Sequence, residues 1–111
     1  MESDTSILVV IIPDQNRQVD EEHKKYGEKI INLLKDANID ANFDIRDTYL
    51  ARWKYRQWEE QGYILITYGS RDMADNRVTM RPPVNKTEQH RVLLSLNDPS
   101  QMILQIKQWL E

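Results

Sequence analysis

Six consecutive apolar residues, Ile7 to Ile12 (ILVVII), run into Pro13-Asp14, and this stretch constrains the fold more than any other. A strand with one wet face alternates apolar and polar residues, whereas an unbroken, mostly β-branched run reads as a strand covered on both faces. Six residues are too few for a buried helix, and Pro13 stops the run. A strand of this kind belongs in the interior of a largely parallel sheet, which needs helical crossovers to cover both of its faces.

The rest of the chain supplies those crossovers. Asp20 is placed to cap a helix running to about Asn38, with Tyr26, Ile30, Leu33 and Leu34 as its apolar stripe. Ile39, Ala41, Phe43 and Ile45 then alternate with Asp40, Asn42 and Asp44, the period of a half-buried strand at a sheet edge. Leu50 to Gln61 reads as a second helix, closed by Gly62 in a left-handed C′ position. Tyr63 to Tyr68 (YILITY) is another interior strand, and Gly69 to Asn76 a turn. In the next strand Val78 and Met80 point one way, and Arg77, Thr79 and Arg81 the other, onto an open face or rim. Asp98-Pro99-Ser100-Gln101 opens a final helix with Met102, Ile103, Ile106, Trp109 and Leu110 on one stripe. The order implies an α/β domain: three αβα layers, a mixed sheet of about five strands and three main helices joined by right-handed crossovers.

With 111 residues, the chain makes a single domain, 1–111, in which 1–6 read as a flexible tail. There is no apolar run of membrane-spanning length and no secretory leader pattern, and cysteine is absent. The expected setting is a reducing intracellular compartment, cytoplasmic in the first instance, with nucleus and mitochondrion compatible, and no membrane partner. The chain lacks both GxxxxGK[ST] and GxGxxG, and its three glycines are scattered, so nucleotide cofactors are not expected. Ser70 lacks the second glycine of a nucleophile elbow. His23 and His90, with no cysteine nearby, are assigned to solvated surface rather than to a metal site. No cofactor is implied.

Charge is unevenly spread. The net formal charge is −3, yet residues 45–91 carry nine Lys/Arg against six Asp/Glu, while residues 1–44 carry five against ten. On the helix from Leu50, Arg52 and Arg56 stand four apart, where like charges repel by roughly 0.2–0.5 kcal/mol. Arg56 can pair with Glu60 at i+4, which leaves Arg52 unexplained. Alternatively both arginines, with Arg46, Arg77 and Arg81, await a phosphate backbone. Trp53 and Trp58 read as core residues in preference to base-stacking platforms, because this helix has few other large apolar side chains.

The segment DIRDTYLARWKYRQWEEQGYILITYGSRDMADNRVTMR resembles the C-terminal anticodon-binding domain of class IIa aminoacyl-tRNA synthetases. Its D-x-R is held by Asp44 and Arg46 and its basic-aromatic-basic helix by Lys54-Tyr55-Arg56. Glu59, Gly62, Gly69, Asp72, Val78, Met80 and Arg81 fill the remaining places. VVIIP and LLKDANIDANFD fit as well, and TEQHRV (Thr87 to Val92) is most similar to the glycyl type. The chain departs from the pattern at Ala51-Arg52, where the family has a glycine, at Ile64, where it has proline, and at Pro82-Pro83.

The resemblance implies a non-catalytic module that recognises the tRNA anticodon or another structured or single-stranded RNA. Arg46, Lys54, Arg56, Arg77 and Arg81 would make the contacts, with Arg52 and Arg71 adding electrostatic support. The isolated domain has no catalytic motif, although a parent protein could be an aminoacyl-tRNA ligase. The same fold is similar to modules of a nuclear receptor coactivator and of a mitochondrial DNA polymerase accessory subunit. There, a protein partner or a homodimer would engage Tyr49, Tyr55 and an exposed tryptophan. A small hydrolase or transferase is the third class.

Overall fold

The computed structural model of the chain describes residues 9–15, 19–45, 50–82 and 91–110. The expected tail at 1–6, Ile7, Arg46, Tyr49, Pro83, His90 and most of Thr87 to Val92 therefore lie outside the described residues. The elements follow the order β1 (Val9–Pro13), α1 (Glu21–Asp36), β2 (Ala41–Phe43), α2 (Ala51–Glu60), β3 (Ile64–Tyr68), α3 (Ser70–Ala74), β4 (Arg77–Arg81), β5 (Val92–Ser95) and α4 (Pro99–Leu110).

The sheet runs β2-β1-β3-β4-β5. β1 is parallel to both its neighbours, with Val10 opposite Asn42 on one side and Leu65 on the other. β4 and β5 add antiparallel, Ile66 facing Met80 and Val78 facing Leu94. All of β1 and β3 is buried, as unbroken apolar runs require. Alternate residues divide between two cores: Val9, Ile11, Ile64 and Ile66 meet Ile30, Leu34, Met102 and Ile106 of α1 and α4. Val10, Ile12 and Leu65 meet Tyr55, Trp58 and Tyr63 on the α2 side. The result is the expected three-layer α/β architecture, with four helices among the described residues because Gly69 to Asn76 contains the short α3 rather than only a turn.

Local chemistry fixes the ends. Asp20 caps α1 by accepting from the His23 amide at 2.9 Å, and Asn38 (φ 62°) and Gly62 (φ 84°) turn the chain left-handed after α1 and α2. The buried stripe of α1 is His23, Gly27, Ile30 and Leu34, rotated from the expected stripe so that Tyr26 and Leu33 lie at its margin. Gly27 explains the rotation: a Cβ there would stand 2.3 Å from the Phe43 ring and 2.6 Å from the Tyr68 hydroxyl. Only a bare backbone can approach the sheet this closely.

His23 corrects an expectation, for it is buried at 5% exposure. Its Nδ1 lies 2.7 Å from Asp20 Oδ1, and its ring stacks on Tyr68 at 6.0 Å. The Tyr68 hydroxyl donates to the His23 backbone carbonyl, and burial pushes that phenol's pKa up.

Candidate nucleic-acid interface

α2 carries the site. It docks through Ala51, Lys54, Tyr55 and Trp58, a regular i, i+3, i+4, i+7 stripe. The sequence conceals this stripe because one of its four members is a lysine. Lys54 is fully buried, its ammonium 3.4 Å from the Asp44 carbonyl oxygen and 4.0 Å from Asp44 Oδ1. The indole N–H of Trp58 donates to Asp44 Oδ2 at 2.8 Å. Asp44 is itself buried and is anchored through its own amide to the Ile11 carbonyl at 3.0 Å. The residue at the end of β2 therefore ties α2 to the sheet. Lys54, expected among the nucleic-acid contacts, lies inside the protein.

With that stripe turned inward, Arg52 and Arg56 face solvent. Neither has an ion-pair partner among the described residues, and the Arg56–Glu60 pair suggested by spacing does not form. Leu50 serves as N-cap of α2 without a side-chain cap, and no acidic residue stands in the first turn. The positive end of the helix dipole thus reinforces Arg52 rather than offsetting it.

A groove of about 500 Å³ starts at Asp14, which follows β1, and passes along α2 to Arg81 of β4. Asp14 is held by its amide, which donates to the Tyr68 carbonyl at 2.7 Å. The groove therefore opens where β1 lies between β2 and β3 and the following helices leave on opposite faces, the customary ligand crevice of open α/β sheets. Arg52 and Arg56 line it, with Asp14 and Glu59 supplying carboxylates. Tyr55 forms the floor. Desolvation, then the nearby Asp14 charge, pushes its phenol pKa up, and Asp14 and Thr67 hydrogen-bond its hydroxyl.

Arg81 lies over the Tyr55 ring at 4.6 Å and reaches Glu59 Oε2 at 3.6 Å. Its Nε is buried with no hydrogen-bond partner, so a donor is left unmatched at the groove wall. The face of β4 expected to be open is covered at this end by Tyr55 and Glu59.

The remaining expected residues disperse. Arg77 binds Asp72 Oδ1 at 2.8 Å and Asp75 Oδ2 at 3.3 Å, and the Asp72 hydrogen bond raises its pKa further. Asp72 also accepts from the Gly69 amide at 3.2 Å and the Thr79 hydroxyl at 3.3 Å, so Gly-x-x-Asp works as a clasp joining α3 to β4. Arg71 is exposed on α3, away from the groove. Trp58 is half-buried and packs on the core side as expected, edge-on against Tyr63 at 4.8 Å. Trp53 is 44% exposed, which corrects its assignment to the core: Lys54 takes the inward position that the tryptophan was expected to fill.

Sequence reasoning missed Asp14 and Leu50 as groove residues. The available signal was a carboxylate directly after a doubly buried strand. Among the described residues no cluster of His, Cys, Asp or Glu is built to hold a metal ion, and no helix is long and apolar enough to cross a membrane.

Comparison with known proteins agrees with this geometry. Residues 8–104 match the anticodon binding domain family model. A proline–tRNA ligase of Picrophilus torridus is 33% identical over 98 residues, covering 87% of this chain and 21% of the ligase. A Thermoplasma volcanium proline–tRNA ligase is 33% identical over 75 residues, 67% of this chain and 15% of the ligase. The crystal structure of prolyl-tRNA synthetase from Cryptosporidium parvum superposes with a TM-score of 0.82 at 24% identity, over 93% of this chain and 21% of that one. These relatives are prolyl, where TEQHRV had suggested the glycyl type. The chain spans about a fifth or less of their lengths. A family match over nearly the whole chain, on a fold whose groove gathers arginines along one helix, shows that this protein belongs to the anticodon-binding domain family.

Proposed function

We propose that the groove along α2 binds the anticodon loop of a tRNA, and that the domain serves a prolyl-tRNA synthetase-like parent. The observation that carries this reading is the placement of Arg52, Arg56 and Arg81 around one groove with Asp14 and Glu59. Phosphates meet Arg52 and Arg56 at the positive end of the α2 dipole. An unstacked base enters the groove, its N–H donors met by the carboxylates and its acceptors by the Arg81 guanidinium. Lys54 acts from within by setting the position of α2. Arg71 and Arg77 lie outside the groove, and Arg46 is carried as a contact on the motif alone. Proline ligation, the activity named for the relatives, belongs in this proposal to the parent chain. The coactivator and polymerase-accessory readings have no counterpart among the relatives above.

Fluorescence anisotropy with labelled tRNA at about 50 and 200 mM salt tests the reading. Each phosphate contact adds roughly 0.7–0.9 to the slope of log K against log salt. Arg52→Ala/Arg56→Ala is expected to weaken binding and to flatten the slope by about 1.5. Absence of saturable binding at 50 mM would overturn the proposal.

A further inference from the structure

We infer that the hollow between the first turn of α1 and the short α3 binds an alkylammonium group, the chemistry shared by a free polyamine and by a lysine side chain. The inference is independent of the anticodon-loop reading, since the hollow and the groove along α2 have no lining residue in common.

The hollow measures about 300 Å³, with Asp20, Glu22 and His23 on one side and Ser70, Met73 and Ala74 on the other. His23 is its built part. The side chain is 6% exposed, Nδ1 is fixed on Asp20 Oδ1 at 2.7 Å, and the ring rests against Tyr68. In the neutral ring Nδ1 therefore carries the proton it donates to Asp20, which leaves Nε2 as a lone-pair acceptor. Nε2 has no hydrogen-bond partner among the described residues. Nor is it sealed: the buried side-chain nitrogen or oxygen without a partner among those residues is Arg81 Nε. Nε2 thus keeps access to the hollow that His23 lines.

The groups around that acceptor decide the ligand. Glu22 is exposed with no ion-pair partner among the described residues, and the Ser70 hydroxyl has no hydrogen-bond partner among them. Asp20 is ionised, its carboxyl held well below the ordinary carboxylate range by the Gln15 side chain first and by His23 next. Both its oxygens are engaged, Oδ2 by Gln15 and Oδ1 by His23, so it contributes charge and leaves the ligand to its neighbours. The open groups are one carboxylate, one hydroxyl and one imidazole nitrogen, and an ammonium brings three N–H donors and no acceptor. An anion is disfavoured, because Asp20, Glu21 and Glu22 outweigh the roughly half positive charge at the α1 N-terminus. A metal ion is unmatched, since no cluster of His, Cys, Asp or Glu among the described residues is built to hold one. Lys24 and Arg71, the adjacent cations in sequence, stand outside the lining, while Met73 and Ala74 give an alkyl stem an apolar wall.

The test follows the imidazole C–H signals of His23 by NMR in the 111-residue chain, with His90→Gln to assign them. The probes are 1,4-diaminobutane, Nα-acetyl-lysine N-methylamide, 1-butanol and KCl at matched ionic strength. A saturable shift of the His23 signals with one or both amines, and none with butanol or KCl, is the expected result. A several-fold preference for the diamine assigns the site to free polyamines, and the reverse assigns it to a lysine side chain. Glu22→Gln should weaken the amine about 2- to 5-fold and Ser70→Ala about 2- to 10-fold, and neither exposed substitution touches the Asp20–His23 contact. His23 signals that stay still with both amines, that move equally with KCl, or that saturate identically in the Glu22→Gln/Ser70→Ala double variant would overturn the inference, whatever the outcome of the tRNA titration.

Discussion

Replacing Lys54 by methionine keeps the length of the buried side chain and removes its charge. The ammonium lies 4.0 Å from Asp44 Oδ1 with both side chains essentially inaccessible to solvent. At that separation, with an effective dielectric of about 20, the attraction is about 4 kcal/mol. Loss of one member of a buried pair costs about 3–5 kcal/mol, since the other charge stays desolvated. Lys54→Met should therefore lose a large part of the roughly 5–15 kcal/mol that holds a domain of this kind together. Asp44→Asn on the same background removes the stranded charge while keeping an acceptor for the Trp58 N–H, and should restore all but about 1–1.5 kcal/mol. Urea denaturation of the two single variants and the double closes the cycle. A Lys54→Met variant within 1 kcal/mol of the parent would refute the view that α2 is held by this pair. So would a double variant no more stable than Lys54→Met.

Two further outcomes follow from the other face and the first helix. Gly27→Ala would place a methyl against the Phe43 ring and the Tyr68 hydroxyl, and should destabilise by about 1–3 kcal/mol. Phe43→Leu on that background should recover part of the loss in the same urea assay, and additive losses would refute the clash. Asp20 has its pKa held well below the ordinary carboxylate value by the Gln15 side chain first, then by the His23 amide and ring. A depressed folded pKa makes its contribution fully present above the unfolded value and lost as pH falls through the folded one. The stability difference between parent and Asp20→Ala should accordingly be constant above about pH 5 and shrink below the usual carboxylate value of about 3.9. A gap that widens on acidification would contradict this sign.

Much of the architecture was legible in the sequence, for specific physical reasons. Val9–Pro13 and Ile64–Tyr68, within the two apolar runs, are doubly buried strands, the alternation around Ala41–Phe43 marks an edge strand, and Asp20, Asn38 and Gly62 mark helix ends. The docking face of α2 was not legible, because hydrophobic periodicity treats a lysine as polar. A buried lysine whose counter-ion lies ten residues earlier leaves no periodic trace, and its inward turn is what sends Trp53 outward. His23 was misplaced for a related reason: the proximity permitted by Gly27 rotates α1 on the sheet. Of the expected site, Arg52, Arg56 and Arg81 converge, whereas Arg77 was indistinguishable from Arg81 by alternation alone. Its partners Asp72 and Asp75 come from the turn that folds as α3.

The attachment of α2 through Asp44 also bears on how independently the groove can open. β2 has only three residues and one neighbouring strand, so it is a natural place for the sheet to fray. Because the tether of α2 begins where β2 ends, fraying there would release the helix as well, and the two would open as one cooperative unit of low local stability. Occupancy of the groove then raises the free energy of that opening, and an edge strand that touches no ligand is steadied by a ligand bound elsewhere.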